Sequence, residues 1–126
     1  MQDISIPQGY QRVMPYLIIP NAAGFIEFTK TVFGAIEKNK MMRDEHTIAH
    51  AEVQIGESTI MLADSTELFA QHAAGLFVYV ENADETYKNA LAAGATSVME
   101  LSDQPYGRTC GVKDAFGNTW WVTKNV

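Results

Sequence analysis

The chain is poor in cysteine, in basic residues and in long apolar runs, and each shortage excludes something. Cys110 is the only cysteine, so an intrachain disulfide is excluded and a reducing compartment is expected. Lys and Arg number 9 against 15 Asp and Glu, a formal charge of −6, and they are scattered. That is not the electrostatic footprint of a nucleic-acid binder. No apolar stretch approaches the length needed to span a bilayer, and no membrane partner is expected. The opening MQDISIPQGYQ lacks the basic and apolar blocks of a secretory signal, so the expected location is cytoplasmic. Glycine-rich phosphate loops and low-complexity segments are also missing. Spacing assembles no Ser/His/Asp or Cys/His set, and Cys110 reads as a small buried hydrophobe. No catalytic residue is expected.

What is present is a repeat. Asn21-Ala22 recurs as Asn82-Ala83, Gly34-Ala35 as Gly94-Ala95, and Gly56 as Gly117, at offsets of 61, 60 and 61 residues. Each landmark has a physical role: asparagine caps a helix start, and glycine ends a helix or turns a hairpin where φ is positive. With 126 residues and 47% hydrophobic content, the chain suits one compact domain. It reads as an α+β domain of two βαβββ modules, residues 13–64 and 75–124, joined by a linker at 65–74. A half-chain of this size is marginal alone, so the modules are expected to pack on each other or on those of a second chain, and a homodimer is expected.

The pattern predicts a buried strand from Val13 to Ile19, stopped by Pro20, after a polar lead-in over residues 1–12. A helix from Asn21 puts Phe25, Ile26, Phe28, Val32 and Phe33 on one face. Period-two strands follow at Ile36 to Met42, Thr47 to Ile55 and Thr59 to Asp64. The second copy gives a strand at Leu76 to Val80 and a helix with Tyr87, Ala90 and Leu91 buried. Strands at Thr96 to Glu100, Arg108 to Lys113 and Thr119 to Thr123 complete it.

Several pieces together resemble the vicinal oxygen chelate superfamily of glyoxalases, bleomycin-resistance proteins and extradiol dioxygenases, and its PhnB-like branch in particular. They are Pro15-Tyr16-Leu17, Phe33-Gly34-Ala35, His50-Ala51-Glu52, Ile60-Met61-Leu62-Ala63-Asp64, Ala93-Gly94-Ala95, Tyr106-Gly107-Arg108 and Asp114-Ala115-Phe116-Gly117. The resemblance covers almost all of the chain. Ala115 and Asn118 depart from the branch, which usually has proline and often has histidine there. It implies sheets curled around a shared ligand cleft, often with modules exchanged in a dimer. It also implies four metal-ligand positions on the first and fourth strands of the modules. Here these fall at Met14, Met61, Gly75 and Trp121. A thioether, a hydrogen and an indole offer a divalent ion no useful donor, so neither metal nor other cofactor is expected.

Strand parity places Tyr16 with Met14, Phe77 and Tyr79 with Gly75, and Thr119 and Thr123 with Trp121. His46, His50, Glu52 and Gln54 share parity opposite the apolar Ala49, Ala51, Val53 and Ile55. The expected ligand-binding set is therefore Tyr16, His50, Glu52, Met61, Phe77, Tyr79 and Trp121, joined by Arg108 from a Gly-punctuated loop expected to cover one end of the cleft, where a guanidinium pairs with a ligand carboxylate or phosphate. Aromatic faces suit a flat molecule, and the negative charge suits a neutral or cationic one. The leading expectation is a metal-free small-molecule binding protein rather than an enzyme. Two alternatives stand beside it: a metal-dependent lyase, isomerase or dioxygenase using a displaced His50/Glu52 site, and an interaction module with a vestigial cleft.

Overall fold

The computed structural model describes residues 4–72 and 74–126. One topology occurs twice. In the first copy β1 (Tyr16–Ile19), α1 (Ala22–Phe33), β2 (Ile36–Met42), β3 (Ile48–Ile55) and β4 (Ser58–Asp64) form a sheet of order β1-β4-β3-β2. In the second β5 (Gly75–Tyr79), α2 (Ala83–Ala92), β6 (Thr96–Gln104), β7 (Gly107–Lys113) and β8 (Thr119–Asn125) form a sheet of order β5-β8-β7-β6. Each first strand runs parallel to its module's last, which needs a crossover, and the helix supplies it. The two sheets are not hydrogen-bonded to one another.

The landmarks act as local chemistry requires. Asn21 and Asn82 each accept, through Oδ1, the backbone N–H three residues on, at 3.0 Å. Gly34 closes α1 at φ 66°, a left-handed turn that a Cβ would penalise. The helix faces of both sheets share one core. Leu17, Ile19, Ala51, Val53 and Leu62 come from the first sheet, and Cys110, Val112, Trp120 and Val122 from the second. Phe25 of α1 stacks on Trp120 with centroids 6.1 Å apart and meets Phe116 edge-on at 5.9 Å. One face of each helix is therefore packed into this core, and the opposite faces of both sheets turn away from it. Cys110 is buried as expected, and burial, assisted by the nearby Asp84 charge, pushes its thiol up to about 11.

Three expectations need correction. The first strand begins at Tyr16, not Val13: Pro15 has no N–H to give, only its carbonyl pairs with Met61, and Val13 is 81% exposed. Leu91 lies on the surface, outside the buried stripe of α2. β6 runs on to Gln104, past two register shifts at Ser97/Met99 and Met99/Ser102 that period-two reading cannot follow. His46 lies on the approach to β3, in an exposed turn held by Asp44, whose carboxylate accepts the backbone N–H groups of His46 and Thr47 at 2.8 Å.

The polar lead-in also has a structural job. With β1 ended, the Gln11 side chain takes the place of a strand neighbour for Thr59. It donates to the Thr59 carbonyl at 2.8 Å and accepts its N–H at 3.2 Å. The Thr59 hydroxyl donates to the Gly9 carbonyl at 2.5 Å. The linker folds back: the N–H groups of Ser65 and His72 donate to Ile19 and Ile18 and cover the free edge of β1.

Candidate ligand-binding site

On the first sheet, register sets Tyr16, Met61, Glu52 and Lys38 side by side across four strands, on the face away from α1. A hydrogen-bonded chain runs along this row. The Tyr16 hydroxyl lies 2.9 Å from His50 Nδ1, and His50 Nε2 lies 2.8 Å from Glu52 Oε2. Glu52 Oε1 accepts the Tyr10 hydroxyl at 2.5 Å and the Asn39 amide at 3.2 Å. Glu52 is only 3% exposed because the lead-in crosses above it. Burial works against its charge, but the donors of Tyr10, His50 and Asn39 outweigh that, and the carboxyl is held below its ordinary value. A recess of about 400 Å³ opens here, lined by Tyr10, Asn39, Glu52, Gln54 and Thr59 among others.

Tyr10 and Asn39 are the two residues that sequence reading missed. An aromatic residue in an otherwise polar lead-in was a usable signal for Tyr10. Asn39 had none: it sits at a register shift between Lys38 and Lys40, and such bulges re-aim a side chain.

On the second sheet the corresponding row is Phe77, Trp121 and Gly111. Phe77 and Tyr79 meet edge-on at 5.2 Å and are 53% and 65% exposed. The Trp121 indole covers Gly111, where a Cβ would stand 2.5 Å from Cζ3 and 2.8 Å from Cε3. Gly111→Ala is therefore expected to lift the indole from the strand and to cost about 1–3 kcal/mol. Near-ultraviolet circular dichroism and a melting curve check both effects.

Of the eight expected residues, the structure joins Tyr16, His50, Glu52 and Met61 in one group and Phe77, Tyr79 and Trp121 in another. A groove of about 870 Å³ takes in Phe77 and Tyr79 with Phe33, Ile55, Val78 and Trp120, but not the Tyr16 group. Arg108 belongs to neither. Its Nε and Nη2 bind Asp84 at 3.0 and 3.1 Å, and Nη1 reaches Asp103 at 3.3 Å, so its donors serve the fold. Met14 precedes β1 and Gly75 opens β5. Among the described residues no three His, Cys, Asp or Glu side chains converge as a metal-ligand set. His50 and Glu52 do come together but find no third ligand, so the donor chemistry does not fit a divalent ion.

With this geometry the comparisons are consistent. The family model described as Glyoxalase/Bleomycin resistance protein/Dioxygenase superfamily matches residues 11–122. An uncharacterized protein of Mycobacterium bovis is 30% identical over 124 residues, covering 89% of this chain and 82% of its own length. TnmS3, an antibiotic binding protein from Streptomyces sp. CB03234, superposes with a TM-score of 0.73 at 15% identity over 100% of both chains. A PhnB protein from Bacillus cereus gives 0.67 at 18% identity, over 90% of this chain and 99% of its own. The bleomycin-binding protein of Streptomyces verticillus, solved with copper(II)-bleomycin, gives 0.58 at 17% identity, over 90% and 95%. The repeated topology, the aromatic outer faces and the family match lead to one statement: this chain belongs to the Glyoxalase/Bleomycin resistance protein/Dioxygenase superfamily.

Proposed function

We propose that this protein is a cytoplasmic, metal-free binder of a flat organic molecule, neutral or cationic, and that it works as a homodimer. The observation that carries the reading is the outward face of each sheet. Tyr16, Phe77 and Tyr79 are 48–65% exposed in rows that also hold Met61 and Trp121, while the helix faces are already filled by the shared core. Aromatic residues gathered on a sheet face form a surface suited to a ring-bearing ligand, with hydroxyls and a carboxylate at its side to orient it. Superfamily membership supports small-molecule binding, and among the structural neighbours TnmS3 is an antibiotic binding protein and the S. verticillus protein binds bleomycin.

The first sheet offers polar recognition and the second offers stacking, and within one chain no described hydrogen bond or ring contact links the two sets. A second copy that sets its second sheet over the first sheet of its partner completes a two-walled cleft. Static light scattering is expected to report twice the 13.9 kDa chain mass, and Phe77→Asp to shift the protein toward the monomer. A ligand supplied at about 100 times its dissociation constant should add roughly 2.7 kcal/mol to stability. A thermal-shift screen of flat organic compounds, antibiotics included, tests this. Purified protein that carries stoichiometric Zn, Mn, Fe or Ni and loses it on His50→Ala would overturn the metal-free reading.

A further inference from the structure

The row Tyr16, His50, Glu52, Tyr10 carries more information than proximity, because hydrogen bonds have direction. Glu52, held as a carboxylate by its donors, can only accept. Its Oε1 receives Tyr10 and Asn39, so Oε2, at 2.8 Å from His50 Nε2, must receive a hydrogen from that nitrogen. A neutral imidazole that carries its hydrogen on Nε2 leaves Nδ1 with a bare lone pair. The Tyr16 hydroxyl, 2.9 Å away, is then the donor of that bond. Its hydrogen points inward, and only oxygen lone pairs are left for whatever approaches from outside. Tyr16 is half-exposed, so the approach is open.

We infer that Glu52 fixes the polarity of this whole chain, so that the Tyr16 hydroxyl is an acceptor-only subsite for a hydrogen-bond donor of the ligand, best a protonated amine. The inference rests on the reading of this face as ligand-bearing and names the chemistry that the face selects. The hydrogen-bonded row itself favours positive charge, and the exposed Lys38 opposite Glu52 opposes it. The only ionised group on the chain itself is the Glu52 carboxylate, and the Tyr16 ring offers its π face to a cation. On the adjacent strand β2, Met41 stands opposite His50 and is uncharged, Lys38 stands opposite Glu52, and Lys40 is ion-paired with Glu37 at 3.4 Å. On β4, Met61 beside Glu52 is uncharged.

The same logic gives the device a switch. When His50 takes up a second proton both ring nitrogens donate, Nδ1–H turns its hydrogen on the Tyr16 oxygen, and the phenolic hydrogen must swing outward. Tyr16 then offers a donor, and the preference passes from amines to carbonyl or carboxylate acceptors. No bond is made or broken other than to the proton exchanged with solvent.

The test uses the full chain and two probes of matched shape, phenethylammonium and hydrocinnamate, titrated by NMR at the Tyr16, His50 and Trp121 resonances. At about pH 8 phenethylammonium is expected to bind at least about tenfold more tightly, the size of one hydrogen bond to a charged donor. Tyr16→Phe, which keeps the ring, should remove that preference. Once His50 takes up its second proton, an event followed by its own ring resonances in the same titration, the ratio should fall to one or invert. Long-range proton–nitrogen correlation of His50 at about pH 8 should show hydrogen on Nε2 alone. Hydrogen on Nδ1, equal binding of the two probes at about pH 8, or a preference untouched by Tyr16→Phe would each overturn the inference and leave the ligand-bearing face standing. Failure of both probes to move Tyr16, His50 or Trp121 would remove the parent reading and the subsite with it, whatever the tautomer.

Discussion

Trp120→Ala is expected to lower the free energy of unfolding by about 3–5 kcal/mol, read from urea denaturation. Trp120 is among the largest fully buried side chains, and it is where the two modules meet. Its indole stacks on Phe25 and lies 4.6 Å from Phe33, both on the helix of the other module. Its Nε1–H donates to Asp114 Oδ2 at 2.8 Å. That carboxylate also ties the turn before β8 by accepting the N–H groups of Phe116 and Asn118 at 2.8 and 2.9 Å. Truncation therefore removes aromatic packing, leaves a cavity that a helix and a sheet must both close, and takes one donor from a buried acid. The neighbouring residue is the control. Trp121 faces the other way, onto Gly111, so Trp121→Ala should cost only about 1 kcal/mol of stability while removing the stacking surface. If Trp121→Ala proves the more damaging to stability, the assignment of core and outer faces on β8 is inverted.

That pair of tryptophans shows how far the sequence could be read. Alternation alone assigns Trp120 and Trp121 to opposite faces, and the family resemblance, which sets Trp121 at a cleft position, says which face is which. The order of elements, the caps and the parity of His50, Glu52 and Gln54 follow from rules that act within a few residues. What stayed hidden depends on contacts between segments distant in the chain. Nothing local to Tyr10 says that its hydroxyl ends at Glu52, 42 residues on. Nothing near Arg108 says that Asp84, 24 residues before it, holds its guanidinium. The shortened first strand was legible after the fact, since Pro15 cannot donate, but the replacement partner, Gln11, required knowing that Thr59 lacked a neighbour. Whether the Tyr16 and Trp121 walls face one another is a question of module placement, to which strand periodicity is blind.

Glu52→Ala is the second large effect. At neutral pH it should destabilise the protein by about 2–4 kcal/mol, since three donors lose one buried anionic acceptor. Tyr10 would keep only the Asn39 amide at its hydroxyl, and the lead-in would otherwise rest on the bonds of Gln11 and Gly9 to Thr59 and Gln54. The effect carries a pH signature whose sign follows from the depressed carboxyl. A group whose folded-state value lies below the ordinary 4.5 binds its proton more weakly in the native protein than in the unfolded chain. Its contribution is therefore complete above about pH 4.5 and is lost as pH falls through the lower, native value. Melting curves of the native protein and of Glu52→Ala should run parallel from neutrality down to that point and converge below it. A difference that stays constant into acid would mean that the donors hold Glu52 by its shape and not by its charge. The polarity imposed on His50 and Tyr16 would then lose its source.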